Sequence, residues 1–246
     1  MRVGSLFSGI GGFDLGLERA GHEIVWQVEN DAYCRKVLAK HWPDVPCYED
    51  VHDVGAHNLE EVDVICGGFP CQDISSLNAA KAGIGGDKSG LWAEYARILG
   101  ELRPRIVLVE NVADIIHRGL DQVLADLAAL GYDAEWETLP ARAFGAPISG
   151  EGRDRVFVVA DSNGGGCFGA RIPRRPRGGL VGGASGDGVA QRGIPRATSG
   201  HWATEPNVGR VAHGVPNRVD RLRGLGNAIV PQVAEWIGRR LPSEEV

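Results

Sequence analysis

No stretch of about 18 consecutive apolar residues occurs in the 246-residue chain, so no segment is suited to cross a membrane as a helix. The opening Met1-Arg-Val-Gly-Ser-Leu-Phe-Ser-Gly is too short and too rich in glycine for a secretory leader. Cysteines number five (Cys34, Cys47, Cys66, Cys71 and Cys167), an odd count without a CxxC pair. That speaks against a disulfide framework and against a zinc site. The expectation from these absences is a soluble intracellular protein with at least one free thiol, no metal and no membrane partner. What is present is enough for a sizeable core: 43% of residues are hydrophobic. The length favours one large domain, or one domain with a small appendage.

The net charge of −6 does not advertise a nucleic-acid partner, but its distribution is uneven. From Arg171 to Arg223 there are ten arginines, no lysine and three acids, a local +7 that leaves −13 for the remainder. A basic face for phosphates on an acidic body would look like this, and so would a solvated arginine-rich loop. The first ~160 residues alternate short β-branched runs with helical periodicity, the pattern of a parallel sheet covered by helices. The patterns predict strands at Val3–Phe7, Glu23–Val28, Val62–Cys66, Ile106–Val109, Ala134–Leu139 and Val156–Val159, and a short one near Pro46–Tyr48. They predict helices at Phe13–Ala20, Ala32–His41, Leu91–Leu102 and Leu120–Leu130, and a closing helix with Pro231 in its first turn. After Asp161 neither period is sustained until Val230, and the glycine- and proline-rich stretch to about Trp202 reads as loop.

Chemistry gathers at predicted strand ends, where open α/β folds place it. Phe7-Ser-Gly-Ile-Gly-Gly12 follows a strand and opens a helix, and Glu29 ends the next strand about 20 residues on, spaced to take the hydroxyls of a ribose. A tight glycine turn would need the same run. The loop lacks a basic residue for a pyrophosphate, so a nucleoside without phosphates suits it better, and S-adenosylmethionine is the obvious one. Phe69-Pro-Cys-Gln72 closes an apolar run and presents Cys71 as a nucleophile, whereas Cys66 inside the strand reads as inert core. Glu110-Asn-Val112 ends a second run, and Arg153-Asp-Arg155 precedes a third. Thiol, carboxylate and arginines could share one pocket.

The ordered set FSGIGG, VEND, GFPCQDIS, ENV, RDR and GNAIVPQ resembles the DNA cytosine-5 methyltransferase family over almost the whole chain except about 163–201. The resemblance implies an α/β, Rossmann-like S-adenosylmethionine-dependent methyltransferase fold with a mostly parallel sheet, plus a small irregular recognition segment. Residues 1–161 and 203–246 would form the catalytic domain and 162–202 a reduced target-recognition segment of a compact member. The partner would be double-stranded DNA with the target cytosine flipped out. The chain would act as a monomer in a bacterial or phage-encoded, nucleoid-associated setting of the restriction-modification type.

By the same resemblance Cys71 adds to carbon 6 of cytosine, Glu110 acts at nitrogen 3, and Arg153 and Arg155 hold the base. Phe7, Gly9 and Gly11 would line the methionine side of the cofactor. Glu29 would take the ribose, Asn30 the adenine face and Asp50 the adenine amino group. Phe69 and Leu91 would pack on the base or the sulfonium side, and Asn227 and Ala228 would close over the methionine portion. Gln72, Ser75 and Asn111 would contact the substrate, Ser75 from a loop that closes on the phosphate backbone. Methylation of RNA is the alternative within enzymes, although the second proline usual before the cysteine in that branch is replaced by Phe69. A non-catalytic DNA-binding protein on this scaffold is the alternative outside them, disfavoured by the joint presence of Cys71, Glu110 and the arginines.

Overall fold

The computed structural model describes residues 1–70, 90–144, 154–163 and 228–242. Seven strands form one sheet: β1 (Arg2–Leu6), β2 (Glu23–Val28), β3 (Cys47–Tyr48), β4 (Val64–Gly67), β5 (Ile106–Val112), β6 (Asp133–Pro140) and β7 (Asp154–Asp161). Among the described residues six helices accompany them: α1 (Gly12–Arg19), α2 (Ala32–His41), α3 (Leu91–Leu102), α4 (Ile115–Arg118), α5 (Leu120–Ala129) and α6 (Pro231–Gly238). The strand order is β3-β2-β1-β4-β5-β7-β6, parallel except that β7 runs antiparallel to both β5 and β6. The chain winds outward from β1 through β2 to β3, then returns to the other side of β1 with β4. The carboxyl ends of β1 and β4 therefore flank the switch point at which such sheets bind ligands. No described helix is long and apolar enough to cross a membrane.

Alternation along the strands divides the core into two. Leu6, Trp26, Ile65, Val107 and Val109 join Tyr95, Ile98 and Leu99 of α3 and Val123 and Leu127 of α5. Val3, Val64, Ile106, Leu108 and Phe157 join Phe13 and Leu17 of α1 and Val233, Ala234 and Ile237 of α6 on the opposite face. Cys66 lies in this second core, fully buried, and burial pushes its thiol well above the ordinary range. The predicted helices and strands all occur where expected, within a few residues at their ends. Two differences matter for function. β5 continues through Glu110 to Val112, and β7 already includes Arg155, because the two strands pair antiparallel along their full length and so extend each other past the apolar runs. The short helix α4 and the 3-10 turns at Val51–Asp53 and Ala141–Phe144 were not predicted; none is long enough to show a period.

The closing helix α6 lies against α1, with Pro231 in its first turn as expected. Close approach depends on Gly16, where a Cβ would run into the Pro231 carbonyl oxygen and come within 2.5 Å of the Ala234 Cβ. Gly16→Ala would gain about 1 kcal/mol of helix propensity. The obstructing atoms belong to backbone and to a short side chain that cannot turn aside, so overpacking at about 1–3 kcal/mol is expected to win. Urea unfolding of Gly16→Ala should show a lower midpoint than the parent, and an equal or higher midpoint would contradict this packing.

Candidate active site

At the end of β1 the backbone turns sharply. Phe7 takes a left-handed φ of 51°, rare for an aromatic residue, and Gly9 and Gly11 follow at 57° and 84°. Among the described residues a Cβ added at Gly9 would meet nothing within 4 Å, so they leave room above its backbone. Phe7 stacks on Tyr95 at 6.2 Å between centroids; Tyr95 contacts Trp92 at 5.4 Å, and Trp92 contacts Phe69 at 5.2 Å. This aromatic row along α3 supports the exits of both β1 and β4, and no motif announced it. Leu91, partly buried at the start of α3, packs on the same core.

Glu29 is 8% exposed and reaches from the end of β2 to the turn after β1. Its Oε2 accepts from the Gly9 N–H at 2.7 Å and its Oε1 from the Asp31 N–H at 2.8 Å. One carboxylate thus joins the turn after β1 to the turn after β2, and each oxygen keeps a lone pair for a further donor. Asn30 beside it is exposed. Asp50 caps the 3-10 turn at Val51–Asp53, where its Oδ1 accepts from the His52 N–H at 2.9 Å and meets the His52 Nδ1 at 2.6 Å. These bonds hold the Asp50 carboxyl below its ordinary pKa. Ala228 enters the strand-end region just before Ile229, whose backbone lies on Gly12 at the start of α1. Phe7, Gly9, Gly11 and Glu29 thus gather at the carboxyl ends of β1 and β2, with Ala228 next in sequence to the Ile229 backbone on Gly12.

On the β5 side, Glu110 lies on the α1/α6 face by alternation with Ile106 and Leu108. Its Oε1 is 2.9 Å from the Arg155 Nε, and the two side chains are 9% and 20% exposed. The strand register produces this pair: Arg155 opposes Val112, so Glu110 is its diagonal neighbour on the same face. Gly68 leaves the space for it, since a Cβ there would sit 2.5 Å from Glu110 Oε2. Asn111 points the other way. Its Nδ2 donates to the Phe69 carbonyl at 2.9 Å and its Oδ1 accepts from the Val112 N–H at 2.9 Å, tying the segment after β4 to β5. Substrate contact by Asn111 would have to use what capacity these two bonds leave. Cys71, Gln72, Ser75, Arg153 and Asn227 lie outside the described residues, as does almost all of 162–202.

A model of the C-5 cytosine-specific DNA methylase family matches residues 1–168. The chain belongs to that family. Among curated relatives, Type II methyltransferase M2.BsuMI of Bacillus subtilis is 35% identical over 168 residues, covering 65% of this chain and 42% of that one. Type II methyltransferase M.HhaI of Haemophilus parahaemolyticus is 30% identical over 167 residues, covering 66% and 50%. The chain spans about half the length of the curated relatives it matches. A solved Spodoptera frugiperda DNMT2 structure has a TM-score of 0.57 at 20% identity, covering 72% of this chain and 55% of that one, a likeness of fold. The sheet is therefore the Rossmann-like sheet of S-adenosylmethionine-dependent methyltransferases, as the ordered motifs implied.

Beneath the glycine turn the chain carries a buried polar cluster. Asp14 of α1, with no exposed surface, accepts from Ser5 Oγ at 3.0 Å and from Gln27 Nε2 at 2.6 Å. Burial pushes the Asp14 carboxyl up from 3.8 to about 6, against the hydrogen bonds that lower it. Between about pH 4 and pH 6 the native chain holds a proton that the unfolded chain releases. Stability from this group is full at low pH and falls by up to about 3 kcal/mol as pH rises through that window. Asp14→Asn, neutral and of equal size, should lack this slope. Its unfolding free energy relative to the parent should rise between pH 4 and 6 and then level off, whereas a pH-independent difference would contradict the assignment.

Proposed function

We propose that this chain transfers a methyl group from S-adenosylmethionine to carbon 5 of a cytosine flipped out of double-stranded DNA. The observation that carries the reading is the buried Glu110–Arg155 pair at the head of β5 and β7, beside the end of β4, which leads within a few residues to Cys71. Room above Gly9 and the Glu29 carboxylate, both at the switch point, suit a nucleoside with free hydroxyls. The residues present therefore fit the cofactor. Phe7, Gly9, Gly11 and Ala228, with Asn227, would face its methionine portion; Glu29, Asn30 and Asp50 its adenosine; Phe69 and Leu91 would support the wall between. When bound, S-adenosylmethionine supplies an electrophilic methyl group.

Carbon 5 of cytosine is too weak a nucleophile to take that methyl unaided. Cys71, as its thiolate, adds to carbon 6 and turns carbon 5 into an enamine carbon. Negative charge pushed onto the ring is relieved at nitrogen 3, where Glu110 shares or donates a proton. Arg155 fixes the Glu110 carboxylate and, with Arg153, holds the cytosine carbonyl oxygen and adjoining backbone. Gln72 and Ser75 would contact the substrate, Ser75 at the phosphate beside the flipped base. Loss of the proton from carbon 5 and departure of the thiolate then release the product.

Glu110→Gln keeps the shape of the side chain and removes the acid. It should lower kcat by about 10²- to 10⁴-fold, the usual range for a proton-transfer group, with a much smaller change in DNA affinity. Single-turnover kinetics with an electrophoretic binding assay check this. A near-parental rate would leave the Glu110–Arg155 pair a structural feature only.

A further inference from the structure

Arg35, on the first turn of α2, belongs to no motif, yet it organises three consecutive carbonyls at the exit of β2. Its backbone N–H donates to the Asp31 carbonyl at 2.9 Å, as the helix ladder requires. Its Nη1 reaches further back and donates to the Asn30 carbonyl at 2.6 Å and the Glu29 carbonyl at 3.1 Å. Its Nη2 meets Glu49 Oε1 at 3.0 Å. The Glu29 and Asn30 carbonyls precede the first helical acceptor, so the guanidinium supplies donors that the helix itself does not offer them. A solvated helix arginine would pair three or four positions along its own helix; this one turns back over the helix start.

Those contacts converge on the residues read above as the adenosine side of the site. Glu29 sends its carboxylate to Gly9 while Arg35 holds its carbonyl, so the residue is fixed at both ends. Glu49 stands next to Asp50 in sequence, and the Glu29 N–H already donates to the Tyr48 carbonyl at 2.9 Å. One guanidinium thus joins the turn carrying the ribose carboxylate to the segment carrying the adenine acceptor. The arms are unequal. Bonds from a cation to two carbonyls are charge-assisted, whereas the Glu49 carboxylate is 71% exposed and its ion pair is weak.

We propose that Arg35 is a positioning residue that sets the adenosine end of the cofactor site without touching the cofactor. The proposal rests on the reading of Glu29, Asn30 and Asp50 as that end. Calorimetric titration of the full chain with S-adenosylhomocysteine and with methylthioadenosine, which keeps adenosine but lacks the amino-acid end, tests both. In Arg35→Met the dissociation constant should rise roughly tenfold for both ligands, with stoichiometry unchanged at one; tenfold corresponds to about 1.4 kcal/mol. Arg35→Lys, able to reach the carbonyls without the fork, should show a smaller rise, and Glu49→Gln no more than about twofold. A parent that binds neither ligand overturns the cofactor reading and this proposal with it. A parent that binds both while Arg35→Met binds equally well overturns the proposal alone. So does a loss confined to S-adenosylhomocysteine, which would place the effect at the amino-acid end. Should Arg35→Met fail to fold, parental affinity in Arg35→Lys overturns it.

Discussion

The antiparallel register between β5 and β7 is the constraint on which the candidate active site depends. Strand side chains alternate with a period of two, so a slip of one residue would carry Arg155 to the face opposite Glu110. A buried carboxylate left without its cation is costly, typically by about 3–5 kcal/mol. The ion pair and the register therefore enforce each other. Gly68 completes the arrangement from the β4 side, since any larger residue would meet the carboxylate. Asn111, on the reverse face of the same strand, ties in the segment after β4. The segment that leads to Cys71 is thus tied to β5, the strand that carries Glu110.

A second carboxylate does comparable work on the other side of the switch point. Glu29 accepts one backbone N–H from each of two loops, and the loops are further fixed by Phe7 on Tyr95 and by Arg35 on its carbonyls. Binding groups held before a ligand arrives lose less freedom when it binds. The cost of that order appears in two places: the left-handed backbone at Phe7 and the buried Asp14 carboxyl below the turn. Strain and buried polarity of this kind are characteristic of functional sites.

Much of this was legible in the sequence because it is carried by period and punctuation. The β-branched runs marked the strands, the leucine stripe from Leu120 marked α5, and glycines marked the turn after β1. Glu110, Arg153 and Arg155 could be expected in one pocket, but which arginine meets Glu110 was not legible, and the strands were drawn too short. An antiparallel neighbour extends a strand past its apolar run, and pairing between distant segments leaves no local trace. The same reason hid Arg35, whose acceptors are backbone carbonyls, and Asp14, which reads as an ordinary polar residue of a helix start until β1 and β2 close over it. Trp92 and Tyr95 lie in no motif, and their service to Phe7 and Phe69 follows only from the strand order.

In the proposed reaction Cys71, a few residues beyond β4 in sequence, attacks the cytosine. Duplex DNA carrying 5-fluorocytosine tests it most directly, because fluorine at carbon 5 cannot leave as a proton does and the adduct persists. Incubated with the full chain and S-adenosylmethionine, such DNA should yield a complex stable to denaturant, and peptide mapping should place the link at Cys71. A link at Cys34, Cys66 or any other residue, or no covalent complex from DNA that is bound, would contradict the account.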